Sequence, residues 1–324
     1  MKDLALTTVL LTGATGFLGG ALVGQLLQIG QYRTRLAVRA PDKSTIGQAQ
    51  RIAVGSIGSQ TDWTAAVENV DCVIHCAARA HIMSDKDTDP LEAYREVNTR
   101  GTLRLARQSA DAGCKRFIYI SSAKVHGEQT LAGTPFSEAM PLAPLGSYAL
   151  SKAEAEAGLA DISKESGMDI VIIRPPLIYG PGVKANFASL TKSVRLGIPL
   201  PLGAITSNRR SFVGIRNLCD FILVCLRYPN ALNDTFLVSD GCYVSTVHLL
   251  KQLATAANKR MWLIPVPLAL LEAGARVMGK QSVLDRLTES FELNVSKATE
   301  ILGWHPPYSM REELEFALDA KHSA

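Results

Sequence analysis

A tyrosine and a lysine stand four residues apart in Tyr148-Ala149-Leu150-Ser151-Lys152, a spacing that puts both on one face of a helix. A free phenol titrates near about pH 10 and is a poor base at neutral pH. A neighbouring ammonium favours the phenolate, so such a pair could exchange a proton with a carbinol oxygen as hydride leaves or reaches its carbon. Spacing alone carries little weight, because many surface helices hold Tyr and Lys this way. A second group adds to it. Ser122, in Ser121-Ser122-Ala123-Lys124-Val125-His126-Gly127, follows a short apolar run and would sit at a strand end, where α/β sheets face their ligands. Its hydroxyl could orient the reacting oxygen; bonding to its own loop backbone is the plainer reading.

Hydride chemistry needs a carrier, and the N-terminal segment offers a place for one. Gly13-Ala14-Thr15-Gly16-Phe17-Leu18-Gly19 follows the first strand-like run, Thr8–Leu11, and opens a helix. The first glycine permits a tight turn, the second lets backbone approach a pyrophosphate, and the third lets the helix pack close to the sheet. The helix start supplies N–H donors and a favourable dipole. These residues are expected to bind a nicotinamide dinucleotide. After the second strand, Val38-Arg39-Ala40-Pro41 puts Arg39 where an NAD site usually carries an acid for the ribose hydroxyls. An arginine can pair with a 2′-phosphate and lie on the adenine face. NADP(H) is therefore the favoured cofactor, with NAD(H) allowed. Ser56, after Gly55, stands where an acid near the adenine would otherwise be expected.

The elements that must position these groups alternate regularly through the first half. Thr8–Leu11, Thr34–Val38, Arg51–Val54, Asp71–Cys76, Phe117–Ser121 and Ile170–Ile173 read as strands buried on both faces. Phe17–Ile29, Leu91–Ala112 and Tyr148–Ser166 read as helices. Asp89-Pro90 supplies an N-cap followed by a first-turn proline, and Gly113 and Gly167 supply stops. Such alternation implies an α/β fold with a doubly wound parallel (Rossmann) sheet. After Arg174 prolines interrupt the pattern, and only Thr235–Ser239 reads as a further strand. Residues 1–174 are expected to form the dinucleotide-binding domain, with a returning part near 212–239. Residues 175–211 and 240–324 are expected to form a smaller substrate-binding region.

With 324 residues, 47% hydrophobic and 20% charged, the chain is long enough for a large core. The net charge of +4 is spread without basic runs, so no nucleic-acid partner is expected. No apolar run reaches the roughly 18 residues that a bilayer span requires. The start of the chain reads as a strand and not as a signal peptide, and neither membrane insertion nor export is expected. Leu263–Met278 is broken by Pro265, Pro267, Glu272 and Arg276 and reads as an amphipathic core helix. The six cysteines form no C-x-x-C pair and no metal-ligand spacing, so free thiols in a reducing, cytoplasmic setting and no metal are expected.

The motifs taken together resemble the extended short-chain dehydrogenase/reductases, in particular the NAD-dependent epimerase/dehydratase group acting on sugar nucleotides. The resemblance rests on the glycine turn, Tyr148 and Lys152. It extends to His75-Cys76-Ala77-Ala78, Asn98-Thr99-Arg100-Gly101-Thr102 and Arg174-Pro175-Pro176-Leu177-Ile178-Tyr179-Gly180-Pro181-Gly182. It continues through Arg210-Ser211-Phe212-Val213, Ser296-Lys297-Ala298 and Leu302-Gly303-Trp304-His305-Pro306, and so covers essentially the whole chain. It implies that Ala77, Ala78 and Pro175 lie along the cofactor and that Asn98 is a structural polar residue near the site. It implies that Arg210 grips a nucleotide diphosphate, with Arg209 and Arg286 as weaker candidates and Asn186 as a substrate contact. A UDP-sugar substrate and a homodimer, paired through Leu91–Ala112 and Tyr148–Ser166, are implied as well. His126 stands where many relatives carry tyrosine; it is taken either as a substrate contact or as a residue buried beside the cofactor.

Departures from relatives narrow the reaction. Dehydratases of this group carry Asp-Glu directly after the Ser/Thr, whereas this chain has Ala123-Lys124. Carboxylate-driven removal of water is therefore not expected. The first reading is a 4-ketoreductase acting on a nucleotide-linked 4-keto-6-deoxy amino sugar, of the UDP-N-acetylquinovosamine type found in bacterial surface-polysaccharide (lipopolysaccharide O-antigen) pathways. Arg39 supports it, since a reductase must exchange spent cofactor. The alternative is a UDP-hexose 4-epimerase (UDP-glucose or UDP-GlcNAc), which oxidises C4, turns the keto sugar over and reduces it again. A remote third reading is a non-catalytic sensor of NADP(H); the intact Tyr148 and Lys152 speak against it.

Overall fold

The structure, a computed structural model, describes residues 7–40, 49–80, 89–183 and 185–319, with residues 185 and 186 described by backbone alone. β1 (Thr7–Thr12) leads into α1 (Phe17–Ile29), followed by β2 (Tyr32–Val38), β3 (Gln50–Ala53), the short α2 (Thr64–Val67) and β4 (Cys72–His75). A long helical segment comes next: α3 (Pro90–Tyr94), a π-helical stretch over Arg95–Gly101 and α4 (Thr102–Asp111). β5 (Arg116–Ile120), a 3-10 turn (Ala123–His126), α5 (Gly146–Ser166) and β6 (Asp169–Arg174) complete the regular alternation. Then follow β7 (Leu177–Tyr179), α6 (Ala185–Arg195), β8 (Phe212–Gly214), α7 (Ile215–Arg227) and β9 (Asp234–Leu237). The chain closes with α8 (Thr246–Ala256), α9 (Leu268–Val277), α10 (Gln281–Thr288), α11 (Ser296–Leu302) and α12 (Met310–Leu318).

Two compact units result. The first comprises Met1–Gly127, Pro141–Arg174 and Cys219–Phe236; the second comprises Glu128–Met140, Pro175–Leu218 and Leu237–Ala324. In the first, seven strands join in the order β3-β2-β1-β4-β5-β6-β9, and the pairs from β3 through β6 are parallel. The expected strands are present within a few residues of their expected ends. They are apolar because both sheet faces are covered: Val9, Leu10, Leu11, Val73, Ile74, Phe117 and Ile118 are buried. α1 coincides with its expected span and stops at Gly30, whose φ of 67° suits glycine. Asp89 caps the α3 start by accepting from the Glu92 N–H at 3.1 Å. The strand order reverses direction between β1 and β4. That reversal creates the crevice at the carboxyl ends of the strands where such sheets bind ligands.

The second unit has its own core of Tyr179, Phe187, Phe212, Leu250, Leu253 and Leu314. Here β7 pairs with β8 in parallel, Leu177 opposite Phe212. At three residues each, these strands are too short for alternation to show in sequence. The expected core helix over Leu263–Met278 is corrected. α9 covers Leu268–Val277, only Ala275 of it is buried, and Leu270 and Val277 are exposed. The apolar run packs against the core through Leu263 and Leu271, buries Ala275, and leaves Ile264, Leu268, Leu270, Val277 and Met278 exposed. All six cysteines are free. Among the described residues no helix is long and apolar enough to cross a membrane, and no residue cluster could hold a metal ion.

One close approach fixes the glycine turn. A Cβ on Gly19 would lie 2.1 Å from the Gly13 carbonyl oxygen, which is backbone and cannot move aside. On Gly20 the nearest atom would be 3.5 Å away, an ordinary contact. Gly19→Ala is therefore expected to destabilise the fold by roughly 1–3 kcal/mol in denaturant unfolding. Gly20→Ala is expected to be neutral or slightly stabilising. Equal stability of the two variants would contradict this packing.

Candidate active site

The switch point between β1 and β4 is built by a glycine and a buried histidine. Gly13 has φ 73°, and a Cβ there would lie 2.7 Å from the Ala77 amide nitrogen. The β1 terminus thus passes against the segment after β4 with room for backbone only. His75, fully buried, bonds Thr12 Oγ1 through Nδ1 at 2.7 Å and Thr102 Oγ1 through Nε2 at 2.9 Å. The Ala77 N–H donates to the same Thr12 hydroxyl at 3.2 Å. α1 begins here with no capping side chain and no acid in its first turn. Its leading N–H groups are therefore open to an anion, as a dinucleotide pyrophosphate requires. Thr15 and Gly16 are exposed, Phe17 is half-buried, and Leu18 is a core side chain that could offer a phosphate only its backbone N–H. Register pairs Thr12 with Ala37, which brings Arg39, exposed just past β2, beside the glycine turn. Ala77 is half-buried, Ala78 is exposed, and Pro175 is buried directly after β6.

The residues expected to handle the proton lie in the same unit, past the end of β5 and near the start of α5. Ser122 lies two residues past β5 and caps the 3-10 turn, and Tyr148 and Lys152 stand one turn apart on α5. A hydrogen bond links the Ser122 hydroxyl to the Tyr148 phenol and draws the phenol's pKa down. Burial outweighs it and pushes Tyr148 up to about 12. Lys152 is buried, donates to the Ile120 carbonyl at 2.6 Å, and lies 4.3 Å from the Tyr119 ring centre. Burial brings its pKa down to about 7, and the Glu156 carboxylate works against that fall. Asn98, buried in the π-helical stretch, accepts from the Arg79 N–H at 2.8 Å and donates to Ser151 Oγ at 3.0 Å. It thereby ties the segment after β4 to α5.

Sequence reasoning passed over the group beneath this pair. Glu156, one turn beyond Lys152, receives the Arg174 guanidinium in a two-pronged ion pair of 2.6 to 3.2 Å, both partners buried. The Ser121 hydroxyl also donates to Glu156. Arg174 Nη1 bonds His126 Nε2 at 2.9 Å. A guanidinium only donates, so Nε2 is the acceptor and the ring proton resides on Nδ1, which the Pro141 carbonyl supports. His126 is buried, and Arg174 engages its Nε2. Its burial and the bond from Arg174 to Nε2 fit the structural reading. The signal for Glu156 was present in sequence as a carboxylate at i+4 from Lys152.

The anion-binding candidates belong to the second unit. Arg210 is fixed by backbone bridges to Val244 and Phe291, and its side chain donates to the Glu289 carbonyl at 2.9 Å. Burial lowers its pKa, the Glu289 and Glu128 carboxylates oppose that fall, and the positive charge of Arg286 adds to it. Arg209 is engaged otherwise: it pairs with buried Glu292 at 2.8 Å and lies over Tyr243. The Asn186 side chain lies outside the described residues.

Residues 9–238 match the model of the NAD dependent epimerase/dehydratase family. The chain belongs to that family. It is 48% identical over 305 residues to a UDP-glucose 4-epimerase of Vibrio cholerae, spanning 94% of this chain and 92% of the relative. The crystal structure of UDP-glucuronic acid 4-epimerase from Bacillus cereus in complex with NAD aligns with a TM-score of 0.76 and 21% identity, covering 96% of this chain and 97% of that one. RMD from Pseudomonas aeruginosa complexed with NADPH aligns with a TM-score of 0.72 and 19% identity, covering 98% and 100%. These two likenesses establish the shared fold. The chain is thus a sugar-nucleotide enzyme of the epimerase/dehydratase family, and its fold is the expected Rossmann type.

The buried imidazoles of this family member give a pH signature. Burial, helped by Lys152, lowers His75 from its ordinary 6.5 to about 3. Burial, helped by Arg174, lowers His126 from 6.5 to about 4. The unfolded chain takes up these protons first, so the stability they contribute is full above about pH 6.5 and is lost as pH falls toward those values. The thermal midpoint of wild type is expected to approach that of His126→Gln as the pH is lowered from about 7 to about 5. A gap that stays constant with pH would show that His126 titrates normally in the fold.

Proposed function

We propose that this enzyme interconverts the C4 epimers of a UDP-hexose, with UDP-glucose and UDP-galactose as its first pair to test. The observation that carries this reading is the 48% identity to a UDP-glucose 4-epimerase over 94% of the chain. It reverses the order reached from sequence, where Arg39 had put the 4-ketoreductase first. The absence of an acid pair at Ala123-Lys124 suits either reaction, since both need only proton and hydride exchange at one carbinol carbon.

In this reading Gly13, Thr15, Gly16, Phe17, Leu18 and Gly19 hold the cofactor pyrophosphate through backbone N–H groups. Ala77, Ala78 and Pro175 border it. A nicotinamide dinucleotide, when bound, supplies the hydride acceptor and donor. Ser122 orients the C4 oxygen, and Tyr148 takes its proton and later returns one. The phenol, held near 12 by burial, needs positive charge beside it to ionise, and Lys152 brings that charge. Lys152 is itself held near 7, so the Glu156 carboxylate helps to keep it protonated. Arg210 and Arg286 grip the diphosphate, leaving the sugar free to turn while its anchor stays fixed. Arg39 lies at the adenosine end, where it can stack on the adenine of NAD or pair with a 2′-phosphate.

The test is proton NMR of UDP-glucose with the enzyme and catalytic NAD. Conversion to UDP-galactose without net cofactor consumption is expected. Tyr148→Phe should lower kcat by about 10²–10⁴-fold with a small change in KM. Turnover only of a 4-keto sugar, with one NADPH oxidised per product, would overturn the epimerase reading in favour of the reductase. Arg39→Asp should weaken NADP(H) binding relative to NAD(H). An unchanged ratio would remove Arg39 from cofactor selection.

A further inference from the structure

α9 presents an apolar face to water. On a helix, positions 270, 273 and 277 share one side, and here they are Leu270, Ala273 and Val277, all exposed. Leu270 is 64% and Val277 89% exposed, whereas the opposite side packs on the core through Leu271 and buries Ala275. A helix apolar on both sides normally has a second apolar neighbour. The segment before it continues the pattern. Leu200 N–H and carbonyl bond Trp262 and Ile264 on an extended stretch, so Trp262 and Ile264 point to the same side while Leu263 turns toward the core. Trp262 is 71% exposed, and Ile264 and Met278 are exposed as well. Single exposed apolar residues are ordinary, but a run of this density marks an interaction site.

The charges say what kind. Between Asn258 and Lys280 the cations are Lys259, Arg260, Arg276 and Lys280, all exposed, against the single half-buried Glu272. A second copy is a poor occupant, because a two-fold interface sets this patch against itself, four exposed cations facing four with only the half-buried Glu272 on each side to offset them. Aliphatic side chains with an exposed tryptophan, flanked by lysine and arginine, match the chemistry of a bilayer surface with anionic headgroups.

We propose that Trp262, Ile264 and the outer face of α9, with their flanking cations, dock this enzyme reversibly on an anionic phospholipid bilayer. The cations meet the headgroups and the apolar side chains enter the acyl boundary. No residue of the hydride or proton machinery takes part, so the proposal stands apart from the substrate assigned above.

Tryptophan emission reports the contact directly. The chain has three tryptophans, and Trp63 and Trp304 are buried, so a change on binding arises at Trp262. The full chain is mixed with vesicles of phosphatidylglycerol and phosphatidylcholine in equal parts, or of phosphatidylcholine alone. Cosedimentation with the anionic vesicles, a blue shift, and loss of both at high salt are expected. Leu270→Ser with Val277→Ser should cut the bound fraction by about tenfold or more at an unchanged thermal midpoint. Trp262→Phe should cosediment without the shift. Failure to bind anionic vesicles, or equal binding to neutral ones, would overturn the proposal. So would a dimer in sedimentation velocity that the Leu270→Ser/Val277→Ser variant dissociates, since the face would then belong to a second copy.

Discussion

Glu156 and Arg174 are opposite charges buried together, and a lone charge in their place would be costly. Removing one partner of such a pair typically costs roughly 3–5 kcal/mol, because the other is left uncompensated. The pair therefore constrains everything attached to it. Glu156 belongs to α5, Arg174 ends β6, Ser121 follows β5, and His126 closes the 3-10 turn. One ion pair thus holds the four segments around Ser122, Tyr148 and Lys152 in a single arrangement. It also sets electrostatics, since the carboxylate lies one turn from Lys152 and favours its charged form.

Above this base the site is tuned by burial. Desolvation raises the phenol and lowers the ammonium, which moves both away from the ion pair that proton transfer needs. The folded chain alone is therefore poised with a neutral phenol, and positive charge nearby decides when it can act as a base. The switch point is tuned in the opposite sense, by keeping charge out. His75 stays neutral and serves as a hydrogen-bonding spacer between β1, β4 and α4. A site of this kind is suited to proton and hydride exchange and has no carboxylic acid directly after Ser122 for expelling water.

Much of this was legible in sequence because it depends on local pattern. Strands buried on both faces show as apolar runs, and Phe17–Ile29 was bounded by its glycines. The glycine turn and the Tyr148/Lys152 spacing announce themselves. What stayed hidden depends on long-range partners. The π-helical stretch over Arg95–Gly101, which carries Asn98, has an ordinary helical sequence; nothing local marks the extra residue per turn. The partner of His126, Arg174, lies 48 residues away in sequence, and nothing local marks the bond to its Nε2. The sequence of α9 reads as core because hydrophobicity reports that a face seeks a nonpolar neighbour, and does not say whether that neighbour belongs to the same chain.

The central claim is that C4 is oxidised and reduced by hydride that never reaches solvent, with Tyr148 moving only the hydroxyl proton. The direct measurement is the fate of deuterium placed at C4 of UDP-glucose during turnover in ordinary water, read by NMR of the product. The account predicts UDP-galactose that keeps its deuterium at C4. Product formed with hydrogen from solvent at C4 would contradict it, as that outcome requires removal of the carbon-bound hydrogen as a proton.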